Sequence, residues 1–152
     1  MKIVHIQFPV FKPYEKAAIE IYVAGCKRNC KGCHNEEAKD FDNGYEADRE
    51  TLQTYLTERS NLFDIISVTG GDLLCQDKGE AFALAFLLRN TFQNKELWLF
   101  TGEDNFENIP LWAQIMFDVI KYGSYKEELK QEGFPASSNQ RIWRKNRQSD
   151  KQ

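Results

Sequence analysis

The sequence predicts an α/β protein, a single domain that forms part of a (β/α) barrel with an open mouth and a mostly parallel sheet. Five short apolar runs bounded by turn residues have the composition of strands, at residues 3–8, 19–23, 65–69, 97–100 and 117–121. Helical patterns lie between several of them, and strands that alternate with helices form parallel units. A complete eight-stranded barrel takes about 250 residues. A chain of 152 residues can therefore build only part of one.

Two helix starts are recognisable by their capping residues. Asp48 precedes a segment that carries Leu52, Tyr55 and Leu56 on one face. Asp77, with Glu80 three positions later, resembles a capping box ahead of the apolar segment 81–88. A side-chain oxygen at such a position accepts a hydrogen bond from a backbone N–H of the first turn. We therefore expect helices after residues 48 and 77.

Length and composition favour one globular domain. Hydrophobic residues make up 41% of the chain and charged residues 28%, and the net charge of −3 gives no general nucleic-acid footprint. The longest apolar stretch, 81–88, is far short of the roughly 18 residues of a membrane span, and the N-terminus has too little apolar length for a signal peptide. We expect a cytoplasmic protein with no nucleic-acid or membrane partner. Its domain would cover residues 1–143, followed by a polar, basic and mobile tail at 144–152.

Three of the four cysteines, Cys26, Cys30 and Cys33, lie in one loop directly after the strand at 19–23. Open α/β sheets bind ligands at the carboxyl ends of their strands, and the three basic residues of this loop favour thiolate over thiol. The C-x-x-x-C-x-x-C spacing suits one metal cluster that takes three thiolates and keeps a fourth position open. A structural zinc site normally has four closed ligands. The spacing therefore favours an iron–sulfur cluster over zinc.

Cys75 and His34 leave alternatives open at this site. Cys75 could complete a tetrahedral metal site, or it could be the small buried residue that a lone cysteine near a strand end usually is. His34 adjoins Cys33, and two adjacent residues are hard to aim at one ion. His34 would either shield a cluster from solvent or be an ordinary surface histidine.

The cysteine run resembles that of the radical S-adenosylmethionine superfamily. The resemblance implies that the three thiolates hold three irons of a [4Fe-4S] cluster, whose fourth iron binds the methionine part of S-adenosylmethionine. A second motif follows the strand at 65–69 and resembles the superfamily's Gly-Gly-acid motif, which receives the methionine amino group: Gly70, Gly71 and Asp72. A glycine turn that merely ends a strand is the structural alternative.

Beyond the superfamily, the chain is similar along nearly its whole domain to the small activating proteins of anaerobic ribonucleotide reductase. The matches occur in order: the cysteine loop with Asn35, the run 97–102, Asp118 with Val119, Gly123 with Tyr125, and Ser137-Ser138-Asn139-Gln140. Three departures stand near these motifs. Leu73 replaces a usual proline, Tyr122 a usual aspartate, and Pro135-Ala136 an Arg-Gly pair.

The family resemblance implies an enzyme with no catalytic side chain beyond the cluster ligands. Its reduced cluster would pass one electron to S-adenosylmethionine, and the resulting 5′-deoxyadenosyl radical would abstract hydrogen from a glycine of the large reductase subunit. A low-potential electron donor such as flavodoxin would supply the electron. An open mouth suits so bulky a substrate, with a possible partner rim at Tyr122, Tyr125, Ser137, Ser138, Asn139 and Gln140. Two alternatives stay open: a radical enzyme acting on another protein, peptide or small molecule, and a non-catalytic metal-binding module.

Overall fold

Seven strands form one mixed sheet in the computed structural model, which describes residues 1–145. Along the chain the strands are β1 (Lys2–Val10), β2 (Ala18–Val23), β3 (Tyr45–Glu46), β4 (Ile65–Gly70), β5 (Glu96–Phe100), β6 (Val119–Tyr122) and β7 (Arg141–Arg144). Across the sheet their order is β3-β1-β2-β4-β5-β6-β7. The order leaves β3 and β7 as edges, so the sheet is not closed, and the predicted α/β class with an open sheet is confirmed.

The four central strands are parallel, and the three outer ones are antiparallel to their neighbours. Strands β2, β4, β5 and β6 pair in parallel, whereas β1, β3 and β7 pair in the antiparallel sense. The connections between the parallel strands contain the helices α1 (Arg49–Glu58), α2 (Lys78–Thr91) and α3 (Leu111–Met116). Parallel strands present their carboxyl ends along one edge, which brings the loops after β2, β4, β5 and β6 together.

Both predicted helix starts are present. The Asp48 side chain accepts from the backbone N–H of Thr51 at 3.0 Å, and the Asp77 side chain accepts from the N–H of Glu80 at 3.1 Å. The second half of the capping box is absent among the described residues. Instead of returning to Asp77, the Glu80 carboxylate accepts from the amino group of Met1 at 2.6 Å.

The two faces of the sheet carry different side chains because successive strand residues point to opposite faces. On one face, Ile19, Ile21 and Val23 of β2 join the large apolar core beneath the helices. The opposite face is concave, and its floor is a smaller cluster of Tyr14, Ala18, Ile65, Trp98 and Val119. Toward the carboxyl ends of the parallel strands the concave face is more polar, and the loop with the three cysteines follows β2 at that end.

Three elements lie outside the sequence prediction: β3, β7 and α3. Strand β6 begins at Val119, two residues later than expected, because the N–H of Phe117 still donates to the carbonyl of Ala113 in α3, at 3.0 Å. Strand β7 includes Arg144, and the N–H of Lys145 donates to the carbonyl of Asp118 at 2.8 Å. Two residues of the expected tail therefore belong to the fold. The rest of the tail, 146–152, lies outside the described residues, and its mobility stays a prediction.

Among the described residues no helix combines the length and the apolar character needed to cross a membrane.

Candidate functional site

A cavity of about 140 Å³ opens at the carboxyl ends of the parallel strands, on the concave face. It brings together the two motifs of the sequence, because its lining includes all three loop cysteines and the glycine-rich turn after β4: Cys26, Cys30, Cys33, Gly70, Gly71 and Asp72. A groove of about 460 Å³ lies elsewhere, between β1, β3 and α1, and no cysteine lines it. The smaller cavity is therefore the candidate site.

The cysteine loop is tied to its surroundings by backbone hydrogen bonds. The N–H of Gly25 donates to the carbonyl of Ala38 at 2.7 Å, and the N–H of Cys26 donates to that of Lys39 at 3.0 Å. Within the loop, the N–H of Cys33 donates to the carbonyl of Cys30 at 3.2 Å, which closes a tight turn. The three thiols are partly buried and free of disulfides. Three thiols that share one cavity are the donor set that an iron–sulfur cluster needs, so the residues present fit such a cluster.

Cys75 does not line this cavity, but it lies beside one of the three loop cysteines. The Sγ atoms of Cys26 and Cys75 and a carboxylate oxygen of Asp72 all lie within 4.8 Å of one another. The Cys75 sulfur accepts from the N–H of Lys27 at 3.5 Å. Hydrogen bonding from the Cys26 thiol lowers the pKa of Cys75 to about 7, and the same bond together with burial raises the pKa of Cys26. The structure thus brings the fourth cysteine into contact with the site, 49 residues along the chain from Cys26.

Close backbone packing explains the two glycines of the turn. Gly70 has a φ of +105°, a conformation that side chains disfavour. A Cβ at Gly71 would lie 2.4 Å from the carbonyl oxygen of Gly25, at the start of the cysteine loop. The N–H of Asp72 donates to that same oxygen at 2.9 Å. Gly70 therefore allows the sharp turn at the end of β4, and the turn can press against the cysteine loop because Gly71 lacks a side chain.

The Asp72 carboxylate is buried, with 1% of the residue exposed. One oxygen, Oδ1, accepts from the N–H of Leu74 at 3.0 Å. The other, Oδ2, accepts from the Thr101 hydroxyl at 2.9 Å, from the N–H of Gly102 at 2.8 Å and from Arg28 Nε at 3.2 Å. A carboxylate has about four acceptor positions, so the remaining capacity of Asp72 lies at Oδ1.

Arg28 connects the cysteine loop to two other loops of the site. Besides its contact with Asp72, its guanidinium lies 3.5 Å from a carboxylate oxygen of Glu103. Both carboxylates raise the pKa of Arg28, against the opposing effect of its burial. Its side chain also covers Gly102, where a Cβ would lie 2.4 Å from the Arg28 Cδ. The sequence indicated only a basic residue near the thiolates. Its part in joining three loops depends on contacts between distant segments.

The segment 137–140 supports a loop at one side of the cavity. The N–H of Lys126 donates to the Ser137 hydroxyl at 3.2 Å, and the Asn139 side chain donates to the carbonyl of Ser124 at 2.8 Å. The Gln140 amide donates to the carbonyl of Gly123 at 2.9 Å. Ser137 and Gln140 are buried, whereas Ser138 is exposed. Ser137, Asn139 and Gln140 thus hold the loop after β6 in place.

The two rim tyrosines occupy different faces of the molecule. Tyr125 lines the cavity, and its ring centroid lies 4.8 Å from that of His34. Tyr122 packs against Phe106 at 5.2 Å on the helix side of the sheet and does not line the cavity. Leu73 is likewise buried in the core beneath the helices. Two of the three departures from the family pattern therefore point away from the cavity, although the sequence places them next to its motifs.

One charged residue of the cavity was not predicted as a site residue. Lys121 lines it from β6. The sequence contained one indication of this position: Lys121 lies two residues after Val119, on the same face of a strand whose other positions are apolar. Such a position is expected to face inward, where a charge requires a partner.

Comparison with known proteins agrees with this geometry. A family model described as a 4Fe-4S single cluster domain matches residues 17–143. The chain is 30% identical over 129 residues to the anaerobic ribonucleoside-triphosphate reductase-activating protein of Enterobacteria phage T4, and the match covers 82% of each protein.

A solved structure shares the fold. The crystal structure of QueE from Escherichia coli matches with a TM-score of 0.53 at 17% identity, over 68% of this chain and 53% of QueE. The chain thus spans about half the length of that protein, and the likeness concerns the fold. Because the family model covers most of the chain and the phage relative aligns with it nearly throughout, this protein belongs to the 4Fe-4S single cluster domain family and is an iron–sulfur enzyme of the radical S-adenosylmethionine type.

Proposed function

We propose that this protein activates an anaerobic ribonucleotide reductase by generating a glycyl radical on the large subunit of that enzyme. The observation that carries the proposal is the convergence of three cysteines and a glycine-rich turn on one cavity at the open side of the sheet. The similarity to the phage activating protein supports the choice of partner.

In this proposal Cys26, Cys30 and Cys33 bind three irons of the [4Fe-4S] cluster and leave the fourth iron for S-adenosylmethionine. When bound and reduced, the cluster supplies the electron that cleaves a carbon–sulfur bond of S-adenosylmethionine, which yields the radical that takes a hydrogen atom from glycine. Cys75 is assigned no iron, because it contacts Cys26 without lining the cavity. Low cluster potentials depend on charge, hydrogen bonding and exposure, and the partly buried loop provides such an environment.

The turn of residues 70–72 is proposed to hold the methionine part of S-adenosylmethionine. Gly70 and Gly71 line the cavity, and the absence of a side chain at Gly71 lets the turn pack directly against the cysteine loop. Asp72 Oδ1 accepts one hydrogen bond and has capacity for a second, which suits the methionine ammonium. Oδ2 is occupied by three donors and fixes the carboxylate in that orientation.

The mouth of the cavity is the proposed docking surface for the reductase glycine. Tyr125 and His34 stand at this mouth, and the segment 137–140 fixes the loop that carries Tyr125. A low-potential donor such as flavodoxin would supply the electron. Free cysteines are usual in a reducing compartment, which supports placing the protein in the cytoplasm.

The test is anaerobic mixing of the cluster-loaded protein with the reductase of the same source, a reductant and S-adenosylmethionine. We expect the doublet of a glycyl radical in the electron paramagnetic resonance spectrum of the reductase, and no doublet with Cys30→Ala. Release of 5′-deoxyadenosine without the doublet would show that the radical has a different target, such as another protein, a peptide or a small molecule.

A further inference from the structure

The Lys121 ammonium is a charge of the cavity without a partner among residues 1–145. Lys121 lies in β6, where its backbone pairs with Phe100 of β5, and its side chain enters the cavity from the concave face. No described residue forms a hydrogen bond or an ion pair with its Nζ. Its Nζ lies over the ring of Phe100, 5.0 Å from the ring centroid.

The environment of this ammonium is poorly solvated. Burial lowers the pKa of Lys121 to about 8, although the negative charges of Asp72, Cys30 and Cys33 act in the opposite direction. A cation in such a place is stabilised by a direct anionic partner, because desolvation removes the hydration that otherwise compensates its charge.

The other charged groups of the cavity are already paired. Arg28 contacts both Asp72 and Glu103, and Asp72 accepts from four donors. In the proposed function the loop thiolates bind iron. Among the cavity residues that the structure describes, Lys121 therefore remains as the cation that is free to bind an anionic group of a ligand.

We propose that Lys121 binds the carboxylate of the methionine part of S-adenosylmethionine. This inference rests on the proposed assignment of the cavity to the cluster and S-adenosylmethionine. That ligand carries one carboxylate, which needs a cation, and one ammonium, which suits Asp72 Oδ1. Asp72 follows β4 and Lys121 lies in β6, so the two residues line the same cavity from opposite sides of β5. The two charges of the amino-acid part would therefore meet opposite charges. Lys121 would then position the sulfonium without taking part in bond cleavage.

The test compares two ligands that differ in the amino-acid part. S-adenosylhomocysteine carries the carboxylate and the ammonium, whereas 5′-methylthioadenosine has neither. Their dissociation constants would be measured by equilibrium dialysis on anaerobically cluster-loaded protein, with the iron content determined for every sample. The variants are Lys121→Met, which removes the charge at similar size, Lys121→Arg, which keeps it, and Lys126→Met as a control on a lysine that does not line the cavity.

For Lys121→Met we expect about a tenfold or greater loss of affinity for S-adenosylhomocysteine, since a hydrogen bond between two charged groups is lost. Affinity for 5′-methylthioadenosine should stay within about twofold of the wild type, the usual scatter of a residue that does not touch the ligand. Lys121→Arg should retain most of the affinity for S-adenosylhomocysteine, and Lys126→Met all of it.

Four results would overturn the assignment. An equal loss for both ligands would mean that Lys121 maintains the general shape of the cavity. Unchanged affinities together with a shifted cluster potential would mean that its charge serves the cluster instead. If wild-type protein with a full cluster bound neither ligand, both the proposed function and the role of Lys121 would be wrong. If the wild type bound both ligands and Lys121→Met bound them equally well, only the role of Lys121 would be wrong.

Discussion

Most of the hydrogen-bonding capacity of the Asp72 carboxylate is used within the protein, so this side chain holds the site together and has little capacity left for a ligand. The sequence identified it as the acid of a Gly-Gly-acid motif, with a carboxylate aimed at an ammonium. The structure gives this carboxylate four protein donors, three of them on Oδ2. Those donors come from the cysteine loop, from its own turn and from the loop after β5. Asp72 thus joins three segments, and its capacity for a ligand is limited to one oxygen.

The contact between Arg28 and Asp72 predicts a loss of stability when the guanidinium is removed. In Arg28→Gln the buried carboxylate would keep its three other donors but lose its charged partner. We expect the free energy of unfolding of the cluster-free protein to fall by about 1 to 3 kcal/mol, measured by urea denaturation. Lys27→Gln alters an exposed neighbour and should have little effect. Equal stability of the two variants would contradict a structural role for Arg28.

The four cysteines predict different iron contents for two single variants. Cys30→Ala removes a thiol that lines the cavity, whereas Cys75→Ser alters a thiol that lies beside Cys26 and does not line the cavity. After anaerobic reconstitution we expect about four iron atoms per chain in the wild type and in Cys75→Ser, as one [4Fe-4S] cluster requires, and a large loss in Cys30→Ala. Full iron in Cys30→Ala together with a loss in Cys75→Ser would show that Cys75 is the third ligand.

Within a single strand, alternating residues point either to the core beneath the helices or to the face that carries the cavity. In β6, Ile120 and Tyr122 point to the helices, whereas Val119 and Lys121 point to the concave face. Tyr122 looked like a rim residue because it is close in sequence to Gly123 and Tyr125. Its side chain faces the core because a shift of one residue along a strand reverses the direction.

Helix α2 depends on Asp77 at its start. Asp77→Ala would leave the N–H of Glu80 without its side-chain acceptor, so the free energy of unfolding should fall by about 1 kcal/mol. Asp77→Asn keeps a side-chain oxygen at the same position and should be nearly as stable as the wild type. Thermal or urea unfolding followed by circular dichroism measures both. If alanine were tolerated as well as asparagine, the cap would not contribute to the helix.

Two tyrosines of the concave face predict a loss of stability in alkaline solution. The hydroxyls of Tyr14 and Tyr22 both donate to the Glu20 carboxylate, and burial together with that negative charge raises the pKa of each tyrosine. The unfolded chain therefore loses these protons first, near pH of about 10. Their contribution is complete below that pH and is lost as the pH rises toward the folded pKa.

Urea unfolding between about pH 8 and about pH 11 measures this dependence. Tyr22→Phe should reduce the alkaline loss of stability, whereas Tyr45→Phe, which alters an exposed tyrosine, should leave it unchanged. Identical pH profiles for all three proteins would rule out the buried pair as its source.

At the scale of the whole molecule, local patterns in the sequence were enough to predict the central strands and two helices. The runs at 19–23, 65–69 and 97–100 are apolar and bounded by turn residues, so each matches an observed strand closely. Strand β7 was missed because its residues, Arg141-Ile142-Trp143-Arg144, are mostly polar or exposed and form a strand only by pairing with β6. Helix α3 has only six residues, two of which, Leu111 and Ile115, are exposed apolar side chains, so no apolar stripe marks it.

The candidate site likewise has parts that a local sequence pattern predicts and parts that depend on contacts between distant segments. The cysteine spacing and the turn at 70–72 are local in sequence, and the structure brings both to one cavity. The contact of Cys75 with Cys26 and the position of Arg28 over Gly102 depend on how separate strands are arranged. Contacts of this kind follow from the strand order of the sheet and leave no local pattern in the sequence.

A cluster on the three loop cysteines is expected to allow this protein to cleave S-adenosylmethionine, and this claim can be tested by measuring the release of 5′-deoxyadenosine. Cluster-loaded protein, reduced anaerobically with dithionite and given S-adenosylmethionine, would be sampled over time by chromatography. We expect 5′-deoxyadenosine and methionine in equal amounts from the wild type and from Cys75→Ser, and neither product from Cys30→Ala. A wild-type protein that holds a full, reduced cluster and releases no 5′-deoxyadenosine would contradict the claim.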